Sequence, residues 1–92
     1  MPSKVRTSHI LVEKHSEALD ILKRLERGES FSELAKNHST CPSGKRGGNL
    51  GEISAGKVVR PFWKAASKLN KGETTKEPVK TQFGYHIIKR TG

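Results

Sequence analysis

The sequence of 92 residues holds a single cysteine, Cys41, so no disulfide can close within it, and one thiol cannot build a zinc site alone. A reducing compartment suits such a chain. No run of apolar residues exceeds three, Ile10-Leu11-Val12. That excludes a helical membrane span and the apolar stretch of a secretory leader, and the expectation is a cytoplasmic, monomeric protein. Aromatic residues make up only 5% of the chain, too few to form a series of stacking platforms for single-stranded nucleic acid. Acidic residues are scarce as well: 9 Asp and Glu stand against 18 Lys and Arg, for a net charge of +9.

The charge that is present is unevenly placed. Residues 1–39 carry 7 basic and 6 acidic side chains, whereas residues 40–92 carry 11 and 3. Such asymmetry points to an anionic partner, nucleic acid or acidic protein, or to a merely soluble basic surface. Within the basic half, Arg60, Lys64, Lys68 and Lys71 recur at helical spacing as a stripe.

The length suits one domain, residues 1–92. Lys4 to Val12 alternates as a strand, with Val5, Thr7, His9 and Leu11 on one face and Ile10 and Val12 on the other. Ser16 is placed to cap a helix that carries Ala18, Ile21, Leu22 and Leu25 on one side and stops at Gly28. Ser30 and Glu33 have capping-box spacing for a second helix over Phe31, Leu34 and Ala35, ending near His38. From Ser39 to Arg60, five glycines break any period, and a loop that long in so small a domain tends to be functional. Within it Asn49–Ile53 is expected to be a short strand. Pro61 opens a third helix with Phe62, Ala66 and Leu69 on one side and Gly72 as its stop. Glu77–Thr81 and Gly84–Arg90 read as a hairpin turning at Gln82–Gly84. An α+β fold follows, an antiparallel sheet with helices packed on it.

Two histidines, His9 and His86, lie mid-strand near opposite ends of the chain. If those strands are neighbours, the imidazoles can satisfy each other, one ring donating N–H to the bare nitrogen of the next. The spacing of Cys41, His38 and His15 recommends no metal site. Cys41 with a histidine could serve as a nucleophile and base, yet no oxyanion hole or orienting acid accompanies it. Gly44-Lys45-Arg46-Gly47-Gly48 lacks the spacing of a phosphate-binding loop and reads better as a connector with two exposed cations.

Taken together, three segments closely resemble the signature of the parvulin peptidyl-prolyl cis/trans isomerases, in that family's order. They are His9-Ile10-Leu11-Val12, the stretch Cys41-Pro42-Ser43-Gly44-Lys45-Arg46-Gly47-Gly48-Asn49-Leu50-Gly51, and Gln82-Phe83-Gly84-Tyr85-His86-Ile87-Ile88-Lys89. The resemblance runs from residue 4 to residue 90 and is greatest to the minimal, single-domain members. It implies a four-stranded antiparallel sheet surrounded by four helices, an FKBP-like superfold, the extra helix being a short turn within residues 42–48. It also implies catalysis of rotation about Xaa-Pro bonds in flexible client segments, assisting folding, with no cofactor, metal or covalent intermediate. By motif position, Leu50, Ile53, Val58 and Phe62 form the proline pocket, and His9, Cys41, His86 and Thr81 form its catalytic polar floor. Lys45 and Arg46 are placed to favour an acidic residue beside the proline.

Three positions depart from the family pattern: Ile53, Val58 and Trp63 stand where Phe, Met and an acidic residue are common. The first two imply a looser pocket. Trp63 implies either a hydrophobic rim or a cover for the sheet edge. Val12 runs through Glu13, Lys14 and His15 almost directly into a helix, so the basic insertion of the phosphate-directed members is missing, and phosphoserine- or phosphothreonine-proline specificity is not expected.

Overall fold

The computed structural model describes residues 3–92. Strand β1 spans Lys4–Val12, and its alternation sends Val5, Thr7 and His9 to one face and Ile10 and Val12 to the other, all buried. Because both faces are covered, both carry mostly apolar or paired side chains, Thr7 Oγ1 being buried without a partner among the described residues. β1 pairs antiparallel with β4 (Gly84–Arg90) from Thr7↔Arg90 to Val12↔Tyr85, and on its other side with β2 (Asn49–Ser54). With β3 (Val79–Thr81) on the far side of β4, the sheet order is β2-β1-β4-β3. The two chain-terminal strands are therefore central neighbours, as the histidine argument required.

Helix α1 (His15–Glu26) starts earlier than Ser16 would set it. Lys14 occupies the cap position with no side-chain hydrogen bond, and Ser16 lies inside the first turn. Gly28 ends it at φ +92°, its N–H donating to Leu25 O. Helix α2 (Phe31–His38) begins as its capping spacing predicts, with Ser30 Oγ accepting from Glu33 N–H at 3.3 Å. Helix α3 (Arg60–Lys68) has Pro61 in its first turn but stops short of Gly72: Leu69 is already extended, and is buried all the same. Hydrophobic demand at Leu69 thus outlasts the helix that presents it. Where the resemblance implied a fourth helix, Pro42–Arg46 forms a short 3-10 helix, so among the described residues three α-helices flank the sheet.

Two cores sit on opposite sheet faces. Ile10, Val12 and Ile87 pack under α1 and α2 with Ile21, Phe31 and Leu34. Val5, Ile53 and Ile88 pack under α3 with Phe62, Ala66 and Leu69. The adjacent Ile87 and Ile88 serve the two cores by strand alternation alone. Among the described residues, no helix is long and apolar enough to cross a membrane.

Candidate active site

The β1–β4 register sets Leu11 opposite His86 and His9 opposite Ile88, which makes the two histidines diagonal neighbours on the α3 face. Their Nδ1 atoms are 3.0 Å apart, and the rings stack at 5.2 Å with 18° between planes. Phe62 closes over both, edge-on, at 5.5 Å from His9 and 5.2 Å from His86.

The outer nitrogens are also engaged. His86 Nε2 lies 2.7 Å from Thr81 Oγ1, and His9 Nε2 lies 3.2 Å from Ser43 Oγ, which in turn reaches Cys41 Sγ at 3.3 Å. Phe83 N–H donates to Thr81 Oγ1 at 3.2 Å. One orientation gives every ring N–H and hydroxyl proton in this chain an acceptor, leaving only the weakly donating Cys41 S–H outside it, and the tautomers follow from it. Thr81 O–H donates to His86 Nε2, His86 Nδ1–H to His9 Nδ1, His9 Nε2–H to Ser43 Oγ, and Ser43 O–H to Cys41 Sγ. Reversing the chain would leave Thr81 accepting twice, with no acceptor for its own proton.

With this orientation kept, protonating either ring places two donors against each other. Burial pushes His9 and His86 down from 6.5 to about 4, and for His9 the neighbouring His86 adds to it. At neutral pH the floor of the site is therefore polar but uncharged.

Cys41 is positioned by backbone. The β1–β2 ladder shifts register between Thr7 and Ser8, and beyond that point the loop 39–48 takes over the edge of β1. Thr40 N–H donates to Leu11 O at 2.8 Å, Leu11 N–H to Ser39 Oγ at 3.1 Å, and His9 N–H to Gly48 O at 2.9 Å. Only glycine fits at 48: φ is +84°, and a Cβ there would collide with the His9 carbonyl oxygen. The glycines of the motif thus seat the loop, and the loop seats Cys41 and Ser43 beside His9.

Above the floor opens a cleft of about 580 Å³. Leu50, Val58 and Phe62 line it together with His9, His86 and Cys41. Thr81 is buried behind His86 and holds it from outside the cleft. Ile53 departs from the expected placement: it is 5% exposed and packs with Val5 and Ile88 beneath Phe62, supporting the wall instead of forming it. The sheet's period accounts for this, since Ile53 lies opposite Val5 on β1 and shares its buried face. Lys45 and Arg46 are exposed on the 3-10 turn, outside the cleft wall. Trp63 packs against the α3-side core and contributes nothing to the cleft, which favours the covering role.

Sequence reasoning passed over several contributors, among them Lys57 of the cleft lining, Ser43 and Phe83. Ser43 joins His9 to Cys41, and Phe83, 58% exposed at the β3–β4 turn, lines the cleft. A large aromatic at a two-residue turn has no core to fill, and that was the available signal. Among the described residues, no three His, Cys, Asp or Glu side chains converge as a metal site.

Residues 5–92 match the model of the family described as "Rotamase: PPIC-type PPIASE domain". The chain is 48% identical over 92 residues to foldase protein PrsA of Bacillus subtilis, covering 99% of this chain and 31% of the relative. It thus spans about a third of the length of such relatives. Its structure superposes on crystalline PrsA from B. subtilis with a TM-score of 0.94 at 48% identity, covering 98% of this chain and 35% of that one. With the solution structure of NmPin, the parvulin of Nitrosopumilus maritimus, the TM-score is 0.87 at 52% identity, and the match covers 100% of this chain and 99% of the other.

Proposed function

The chain belongs to the PPIC-type peptidyl-prolyl cis/trans isomerase family, and on that premise we propose that it accelerates rotation about Xaa-Pro bonds in flexible segments of client proteins, assisting their folding. The observation that carries the reading is the cleft itself, an apolar wall of Leu50, Val58 and Phe62 over a neutral floor of His9 and His86.

The barrier to be lowered is about 18–20 kcal/mol of amide resonance, and no bond need break. The wall anchors the pyrrolidine ring while the preceding carbonyl swings. Removing water disfavours the charge-separated planar amide relative to the twisted one, and catalysis follows from binding the twisted form better. Cys41 tunes the field around the rotating carbonyl by hydrogen bonding, and the histidines, their nitrogens already engaged, tune it by their dipoles, without nucleophilic attack. Thr81 and Ser43 hold the two rings in their tautomers. The step from Val12 to His15 takes only Glu13 and Lys14, which supports a substrate range not directed to phosphorylated residues.

Exchange NMR on an Ala-Pro peptide tests the proposal. Micromolar protein should broaden or cross-saturate the cis and trans resonances, and no acceleration at that concentration would sink the isomerase reading. We also propose that the protein is monomeric and that Arg60, Lys64, Lys68 and Lys71, all exposed, meet an anionic partner, nucleic acid or acidic protein. Light scattering tests the first point, and salt-dependent binding to an anionic polymer tests the second.

A further inference from the structure

We infer that Lys57 selects substrates by meeting an acidic side chain next to the proline, so that Glu-Pro and Pro-Glu segments are preferred over their lysine counterparts. The inference rests on the isomerase reading of the cleft and names the substrate class that cleft takes.

Among the side chains lining the cleft, Lys57 is the only Lys, Arg, Asp or Glu. It stands beside Val58 of the wall, in the turn between β2 and α3, where its N–H donates to Ser54 O at 3.0 Å. The backbone is thereby fixed while the side chain stays exposed, and no ion-pair partner holds it among the described residues. With His9 and His86 neutral, nothing else in the wall answers its charge.

The rim offers no competing acid. The segments that build the cleft, residues 4–12, 39–62 and 79–86, contain Lys4, Arg6, Lys45, Arg46, Lys57, Arg60 and Lys80 but only one acidic residue, Glu52. Glu52 is paired with Lys4 at 3.8 Å. A proline seated against Val58 brings its sequence neighbours within about 3.8 Å per residue of the wall, inside the reach of a four-carbon stem. A carboxylate there gains a cation, and a lysine meets repulsion from it. Lys45 and Arg46 lie outside the wall and contribute only to the background field.

The test uses peptides with Glu, Ala or Lys before the proline, and a second set with the same residues after it. Each is measured both for kcat/KM and for Kd by NMR titration. In at least one placement the Glu/Lys ratio should be roughly fivefold at low salt and should shrink toward one at 0.5 M salt. K57E should invert the ratio and K57Q should bring it near one, whereas the outer-face double variant K64Q/K68Q should keep it. A ratio near one in both placements overturns the assignment. So does a ratio that K57E leaves unchanged, or one that K64Q/K68Q erases as fully as K57Q, since net charge would then be the cause. If turnover is absent but the Glu preference persists in Kd and inverts in K57E, the isomerase reading fails and Lys57 stands. If turnover is present without the preference, the reverse holds.

Discussion

Acidification from pH 7 to pH 5 should destabilise this protein through His9 and His86 alone. Both rings lie at 6.5 when solvated and at about 4 when buried, so between those values the unfolded chain binds protons that the native chain does not. Stability therefore rises with pH across this window and is lost as pH falls through it. At about 1.36 kcal/mol per pKa unit, each histidine alone removes about 2 kcal/mol by pH 5, so the pair removes about 2–4 kcal/mol. A domain of this size has in total about 5–14 kcal/mol. Urea melts followed by the single Trp63, partly buried against the α3-side core, read the effect. Equal midpoints at pH 7 and pH 5 would refute the reasoning. The His9→Leu/His86→Leu double variant should lose the slope whatever its own stability. In the wild type, NMR should show two imidazoles that do not titrate between pH 7 and 5.

The same substitution at two threonines should have opposite signs. Thr81→Val strips His86 Nε2 of its donor and Phe83 N–H of its acceptor and should cost about 1–3 kcal/mol in urea melts, with a loss of kcat/KM. Thr7→Val, where the buried Oγ1 has no partner among the described residues, should be neutral or stabilise by up to about 1 kcal/mol. Gly48→Ala should lower stability by more than the roughly 1–2 kcal/mol of a left-handed backbone, because the His9 carbonyl blocks the new methyl, whereas Gly56→Ala, with open space, should stay within about 0.5 kcal/mol. Val58→Met lengthens the cleft wall and should lower KM roughly fourfold for an Ala-Pro peptide, one buried methylene being worth about 0.8 kcal/mol. An unchanged or raised KM would show that the wall is already filled.

The strands and the three main helices were legible because each carries its period on its surface: β1 at period two, α3 through Phe62, Ala66 and Leu69. What the period could not supply was the depth of a position. Ile53 and Leu50 both belong to β2 and both are apolar, yet only the register with β1 decides that Ile53 lies opposite Val5 in the core while Leu50 faces the cleft. Ser43 was silent for a similar reason. A hydroxyl two residues after Cys41 turns inward only because a 3-10 turn returns the chain onto β1. Ser16 misled because capping propensity is local, while the start of α1 is set by how soon the chain must leave β1, two residues after Val12.

The charge distribution around the cleft fits the chemistry asked of it. A rotating amide loses charge separation as it twists, so a fixed cation near the carbonyl oxygen would stabilise the planar ground states and raise the barrier. The floor avoids this by running five side chains, Thr81, His86, His9, Ser43 and Cys41, as one donor–acceptor sequence whose two imidazoles are uncharged. Burial enforces the neutrality, which is why the pH that would charge the floor also weakens the fold. Formal charge is admitted to the wall only at Lys57, on an exposed turn. There it can select the neighbours of the proline without standing against the bond that rotates.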